Sequence, residues 1–458
     1  ARAAPPVMDG LRSALHNALP GHPREGSADP TPAGPSTAPN STRAQALAPG
    51  DRLRAFEAAL SAEAVDMHAL RGLAFGGVPE VPGQRLRALT WQLLLGYLPP
   101  ERAAWDAVRA EQRRLYASWK AEFIVDPYAR GGAAASAAIA AGPTAGAAAG
   151  EAVAPDAHPL TSDASSAWGA FFRNEELCQE LAKDVARTLP DYGFYSSESA
   201  RGRAHRAAIL RVLFVYARLN PGIRYVQGMN ELLAPVYYTL CQEAEAAWLR
   251  RAGAEDAGQA AEGPEGGWAH LDTPADADAE AAATAAAEAD AFFCFTNLMA
   301  ETRDCFCESL DHTSLGVTGT IARLEALLEA AAPDLAAHLR REKVAAQFYA
   351  FRWTTLLLTQ EFDLPDVLRL WDSLLADPRR FDFLLHFCVA MLVRLRPRLL
   401  SYSFADIVKA LQAYPDADLG ALLALAEGLQ GAHDRGGDPA KVVAALGQEV
   451  PEARADAR

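Results

Sequence analysis

The sequence predicts an all-α fold, on three observations. Apolar residues recur at helical spacing through most of the non-repetitive segments, breakers such as Asn220-Pro221-Gly222 cut these into helix-length pieces, and no run keeps up the alternation of a half-buried strand. With 458 residues, half of them hydrophobic, the chain can bury a large core, although low-complexity stretches lower the domain count that its length suggests.

The elements follow in order. Residues 1–50 read as a disordered tail, because 20–50 are rich in Pro, Gly, Ser and Thr and carry too few large apolar groups to offset the entropy of ordering. The helical domain is expected over 51–430, with a C-terminal tail over 431–458. Two alanine-rich stretches, about 130–155 and an acidic one at about 252–289, read as disordered surface insertions, which cost little since loop-closure entropy grows only logarithmically. Leu181 to Thr188 should be helical and end before Pro190, which disfavours the α conformation in the residue preceding it. His205 to Leu219 is an amphipathic helix stopped by the Asn-Pro-Gly breaker, and LLAPVYYTL after Asn230 is an apolar one. Asp290 is placed to cap AFFCFTNLMAETRDCFCESL, and Val344 to Gln360 continues the helical theme. Pro365 belongs in the first turn of a helix near a cap at Asp363. Asp382 to Leu395 is apolar nearly all round and should be a central buried helix, too short and too charged at Arg394 to span a membrane. The stretch SFADIVKALQAYPDADLGALLALAEGL supplies two more short helices.

A net charge of −15 argues against nucleic acid as the main partner, since phosphate binding needs a concentrated basic face. The start lacks the apolar region of a secretory signal and no segment reaches the length of a membrane span, so membrane contact is expected to be indirect or peripheral. The six cysteines show no CxxC pair or Cys/His zinc spacing and read as reduced core residues; a helix would point Cys305 and Cys307 to different faces. No GxxxxGK[ST] or GxGxxG loop occurs, and no nucleophile setting, so the chain is not expected to hold a nucleotide or metal of its own.

Two polar islands stand out. On a helix, Asp184 and Arg187 are i, i+3 neighbours, so the carboxylate can aim the guanidinium; an exposed salt bridge suiting the negative helix end has the same pattern. In Tyr225-Val226-Gln227-Gly228-Met229-Asn230, the glycine leaves backbone beside Gln227 open to a partner; the plainer reading makes Asn230 a helix cap and Gln227 ordinary loop surface. Three further clusters, Arg87 with Trp91, Phe351-Arg352-Trp353 and Leu370-Trp371-Asp372, each set a tryptophan beside a charge, the usual pattern of core packing around a satisfied ion pair. Arg352 and Asp372 also qualify as supports behind a nearby site.

Taken together, GVPEVPGQRLRALTWQLLLGYLP, LAKDVARTLP, YVQGMN, FRWTTLLLTQEF and LRLWDSLL resemble, in order, the motifs of TBC domains, the catalytic domains of Rab GTPase-activating proteins. The resemblance covers roughly residues 70 to 430, and LNPGIRYVQGMNELLAPVYYT with FFCFTNLMAE and RFDFLL looks most like the member-13 branch of that family. It implies an all-α domain of two helical subdomains and a two-finger mechanism. Arg187, with Asp184, would match the IxxDxxR motif, with Leu181 where the family usually has Ile; Gln227 would match the glutamine of YxQGM, beside Tyr225, Gly228 and Asn230. The resemblance further implies a GTP-bound Rab as partner, which brings its own GTP and magnesium, and a cytoplasmic protein recruited to membranes through that Rab. The competing expectations are a Rab-binding scaffold without turnover and a helical adaptor that binds through its insertions.

Overall fold

Helices begin where short polar side chains can take up the free N–H groups of a first turn. Asp66 accepts from the backbone of His68 and Ala69, Ser199 from Gly202, and Asp418 from Ala421. The computed structural model describes residues 48–80, 86–124, 167–251, 274–302 and 316–446. These form α1 (Pro49–Ser61), α2 (Met67–Phe75), α3 (Leu86–Leu94), α4 (Trp105–Phe123), α5 (Ala167–Ala186), α6 (Ala200–Leu219), α7 (Met229–Arg251) and α8 (Pro274–Thr302). They continue with α9 (Val317–Ala331), α10 (Pro333–Arg341), α11 (Ala350–Thr355), α12 (Leu364–Ala376), α13 (Asp382–Leu399), α14 (Phe404–Gln412), α15 (Leu419–Asp434) and α16 (Pro439–Leu446). The fold is all-α, and among the described residues the only extended pairing is an isolated bridge between Ala64 and Glu101.

Packing gathers these helices into two groups. In the first, α8 lies against α7, α6 and α4, and α5 lies against α6. In the second, α13 packs on α15, α9, α10 and α11, with α16 on α15 and α9. Helices α3 and α12 tie the groups together, since α3 meets α7 and α12 meets α2, α3, α7 and α15. The expected central helix is there: α13 buries Phe383, Phe387, Cys388, Met391 and Leu392 completely.

Several expectations need correcting or limiting. The expected tail at 1–50 and insertion at 130–155 fall outside the described residues, apart from the first residues of α1, and so do Cys305 and Cys307. The acidic stretch 252–289 is not all insertion, because 274–289 are the first half of α8. Alanine is the best helix former, and the last acid of the stretch, Glu288, is neutralised by residues distant in sequence. Glu288, 1% exposed, takes bonds from Arg211 (2.6 Å), Lys120 (3.1 Å) and the Tyr116 hydroxyl (2.8 Å). Asp290 caps nothing; it is buried in mid-helix, paired with Arg113 at 2.6 Å and accepting from the Tyr97 hydroxyl at 2.6 Å.

Val344 to Gln360 is not one helix either. Only α11 and a short 3-10 turn at Ala346–Phe348 form, because Lys343, Leu357 and Leu358 adopt positive φ of 59°, 49° and 64°. The reversal is held by the Trp371 indole donating to the Leu357 carbonyl at 3.1 Å and the Leu358 N–H donating to the Trp353 carbonyl at 3.1 Å. Asp363 occupies the cap position of α12, but its side chain makes no capping bond. Beyond residue 430, α15 runs on to Asp434 and α16 adds a further packed helix. Cys241, Cys294 and Cys388 are buried and Cys178 half-buried, all four outside any disulfide. Among the described residues no helix is long and apolar enough to cross a membrane, and no group of side chains is arranged to hold a metal.

Candidate functional site

Helix α5 ends at Ala186, one residue before Arg187. The Arg187 and Thr188 N–H groups close 3-10 turns on the carbonyls of Asp184 and Val185, each at 3.2 Å, and Leu189 then turns left-handed with φ of 41°. Arg206, on α6, donates to the freed Ala186 carbonyl at 2.9 Å, so the helix end is fastened from a second element. The Arg187 side chain points outward and is 55% exposed, while its Nη2 donates to Asp184 Oδ1 at 2.8 Å. Asp184 itself is buried.

The other oxygen of Asp184 accepts from the Tyr225 hydroxyl at 2.5 Å. Burial, and after it the bond to Asp184, hold that phenol well above its ordinary pKa, so it stays a donor. Tyr225 enters after Arg224, whose φ is 63°. Asn230 is the second residue of α7 and not its cap: its Nδ2 donates to Thr188 Oγ1 at 2.9 Å and lies 3.1 Å from Glu231 Oε1, while its Oδ1 lies 3.2 Å from the Tyr225 hydroxyl. Thr188 Oγ1 in turn donates to the Asp184 carbonyl at 3.0 Å. Asp184, Thr188, Tyr225 and Asn230 thus stitch the two sequence islands into one buried polar network, with every member partnered.

Gln227 lies on the exposed turn between Tyr225 and α7. Its neighbour Gly228 has φ of 105°, and a Cβ there would come within 2.6 Å of Leu356 Cδ2. Leu356 begins the loop that follows α11, so this loop backs the glutamine turn from a third segment of the chain. Gln360 at the loop's far end hydrogen-bonds Glu231, whose carboxyl burial pushes up and the bonds from Gln360 and Asn230 hold down. Arg352 and Glu361 straddle the loop and close it by a double ion pair at 2.7 and 3.0 Å, with Arg352 also donating to the Gln412 carbonyl at 2.7 Å. Trp353 is wholly buried beside Tyr349 and Tyr414.

Gly228→Ala should therefore lower stability by about 1–3 kcal/mol, from overpacking against Leu356 and from an unfavourable φ for any L side chain. Urea denaturation measures it; adding Leu356→Ala should relieve the steric part only, and a Gly228→Ala variant as stable as wild type would remove the requirement for glycine here.

The remaining candidates form a cluster of their own. Asp372, 0% exposed, accepts from Arg87 Nε at 3.1 Å, from the Trp91 indole at 2.8 Å and from the Val78 N–H at 2.9 Å. Trp91 packs on Trp371 with ring centroids 5.8 Å apart. This cluster joins α3 and α12, the two helices that tie the groups of the fold together.

Sequence reasoning missed Thr188, Arg206, Glu231, Leu356 and Gln360. Thr188 and Glu231 border the islands and could have been suspected from a helix-side register; the other three come from elsewhere in the chain and carry no local signal. Chemically, the arrangement offers a guanidinium and an amide to the outside from two segments joined by a buried polar network.

The family model described as the Rab-GTPase-TBC domain matches residues 172–400. TBC1 domain family member 13 of Homo sapiens is 34% identical over 83% of this chain and 98% of its own length. GTPase-activating protein gyp1 of Schizosaccharomyces pombe is 25% identical over 80% of this chain and 57% of its own length. Among solved structures, the Ypt/Rab-GAP domain of Gyp1p aligns with a TM-score of 0.60 at 21% identity, covering 84% of this chain and 99% of that one.

Proposed function

This chain belongs to the Rab-GTPase-TBC domain family, and from that premise we propose that it is a GTPase-activating protein for a Rab-family small GTPase in its GTP-bound form, supplying Arg187 and Gln227 in trans. One observation carries the reading: both side chains are exposed, while Asp184, Thr188, Tyr225 and Asn230, in the two segments that carry them, are buried and mutually bonded. A scaffold has no use for such preorganisation. Catalysis by positioned charge does, because a donor already aimed needs no reorganisation when charge develops.

Arg187 enters the GTPase site and neutralises charge developing on the transferred phosphoryl group, exchanging its bond to Asp184 for bonds to phosphate oxygens. The Gln227 amide orients the attacking water, with Gly228 keeping the adjacent backbone narrow enough for close approach. Asp184 and Tyr225 set the direction from which Arg187 reaches, and the loop from Leu356 to Gln360 steadies the glutamine turn. Arg87, Trp91, Arg352, Trp353 and Asp372 support the two segments without touching the nucleotide. GTP and magnesium are the partner's. The protein works in the cytoplasm, is recruited to membranes peripherally through its Rab, and acts in vesicle traffic.

Single-turnover GTP hydrolysis across a panel of GTP-loaded Rabs tests this, with binding measured alongside. Acceleration of at least one Rab by the wild-type chain is expected, falling about 10²–10³-fold for Gln227→Ala while the complex still forms. Binding without acceleration of any Rab sinks the catalytic reading and leaves a scaffold.

A further inference from the structure

Glu231 is a buried acid beside the site that the mechanism above leaves unused. It is the third residue of α7 and 7% exposed. A glutamate at that position of a helix ordinarily folds back onto the N–H of the cap, where the helix dipole also favours it. Glu231 instead joins the polar network: its Oε1 accepts from Asn230 Nδ2 at 3.1 Å, and Gln360 supplies a second hydrogen bond. Burial opposes its charge, which those two bonds and the nearby Arg187 favour. Arg187 pairs with Asp184 and Arg352 with Glu361, so neither cation is its salt-bridge partner. A buried carboxylate without such a partner is a costly way to fill space that an uncharged side chain would fill as well.

Its two partners belong to the two halves of the site. Asn230 donates to Thr188 Oγ1 at 2.9 Å, and Thr188 and Tyr225 both donate to Asp184, which holds Arg187. Gln360 belongs to the loop that backs the glutamine turn. Beside it, the Thr359 N–H donates to the Leu356 carbonyl at 3.1 Å, and Leu356 is the side chain that a Cβ at Gly228 would meet. The Glu231 backbone closes the circuit, its N–H donating to the Gly228 carbonyl at 3.0 Å. The Glu231 carboxylate is therefore where the arginine network and the loop behind the glutamine join.

We propose that Glu231 is a positioning residue whose carboxylate fixes the separation and relative direction of Arg187 and Gln227 before a Rab arrives. The proposal rests on the GTPase-activating reading above and adds the group that makes the two fingers one device. Both fingers must meet a single phosphoryl centre together, and misplacing either by about 1 Å is enough to slow the reaction severely. Glu231 is buried and acts only through its neighbours, so its loss leaves ground-state binding alone and lowers the maximal rate.

The test uses the full chain with a Rab that it accelerates, following GTP hydrolysis at varied Rab concentration, with circular dichroism and thermal unfolding for each variant. Glu231→Gln and Gln360→Ala are each expected to lower the maximal rate about 10-fold, with half-saturation within about twofold of wild type. Gln360 is exposed, so its truncation spares the core. Exchanging the pair, Glu231→Gln with Gln360→Glu, again sets a carboxylate opposite an amide and should recover the rate to within about threefold of wild type. In a Gln227→Ala background, Gln360→Ala should cost less than about twofold, because a device that spaces two fingers has nothing to set once one is gone. Folded single variants with wild-type maximal rates, a change confined to half-saturation, an exchange that recovers nothing, or a loss that persists without Gln227 each overturn the proposal. A wild-type chain that accelerates no Rab, or a Gln227→Ala chain as fast as wild type, instead removes the functional reading beneath it.

Discussion

Arg187→Ala is expected to reduce acceleration of GTP hydrolysis by about 10³–10⁵-fold, equivalent to about 4–7 kcal/mol of barrier, with Rab binding nearly intact. The magnitude follows from what the guanidinium does alone: it meets charge that exists only as the phosphoryl group transfers, so its loss raises the barrier without weakening the ground-state complex. Structure should be spared. Arg187 is 55% exposed, so its ion pair with the buried Asp184 is open to solvent on the guanidinium side, which limits its worth to stability. Asp184 would keep its bond from Tyr225. Arg187→Lys is expected to restore little, because a single ammonium cannot reproduce the planar fork that spans two phosphate oxygens. Single-turnover rates with equilibrium binding on the same samples decide the matter; a variant that hydrolyses within about tenfold of wild type would strip Arg187 of its role.

Asp372→Ala should have the largest effect on folding, a loss of about 3–5 kcal/mol. The carboxylate is completely buried and satisfies three donors at once, the Arg87 guanidinium, the Trp91 indole and the Val78 N–H. Removing it strands a mostly buried guanidinium, 13% exposed, whose remaining carboxylate partner is Glu80 on the surface. Since α12 and α3 join the two helix groups, the loss should fall on the cooperative transition of the whole domain. Chemical denaturation reads it as a lowered midpoint at unchanged slope. Asp372→Asn, which retains acceptor oxygen for the indole or the N–H, should lose less than the alanine variant. If alanine costs under about 1 kcal/mol, the cluster does not hold the groups together.

Much was legible locally. The helical periods of 205–219 and 382–395 appear as α6 and α13, because a one-sided or all-round apolar pattern is decided by nearest neighbours along the helix. The i, i+3 spacing of Asp184 and Arg187 produced the ion pair it suggested. Illegible were features that depend on partners far away in sequence. The acidic alanine run at 274–289 looked solvated until Arg211, Lys120 and Tyr116 were brought to Glu288, and Asp290 looked like a cap until Arg113 and Tyr97 were brought to it. Helical periodicity through Val344 to Gln360 concealed a left-handed reversal held by the Trp371 indole on the Leu357 carbonyl and by the Leu358 N–H on the Trp353 carbonyl.

By itself, then, the sequence determined that the chain is all-α, where several of its helices lie, and which short motifs carry the arginine and the glutamine of the proposed mechanism. Capping, periodicity and breaker residues act over one or two turns, so their consequences are written in neighbouring residues. Only the tertiary structure decided that Asp184, Thr188, Tyr225 and Asn230 are one network and that the loop from Leu356 to Gln360 backs Gly228. These depend on hydrogen bonds and contacts between segments about 40 to more than 100 residues apart, where loop closure leaves no local trace in composition or spacing.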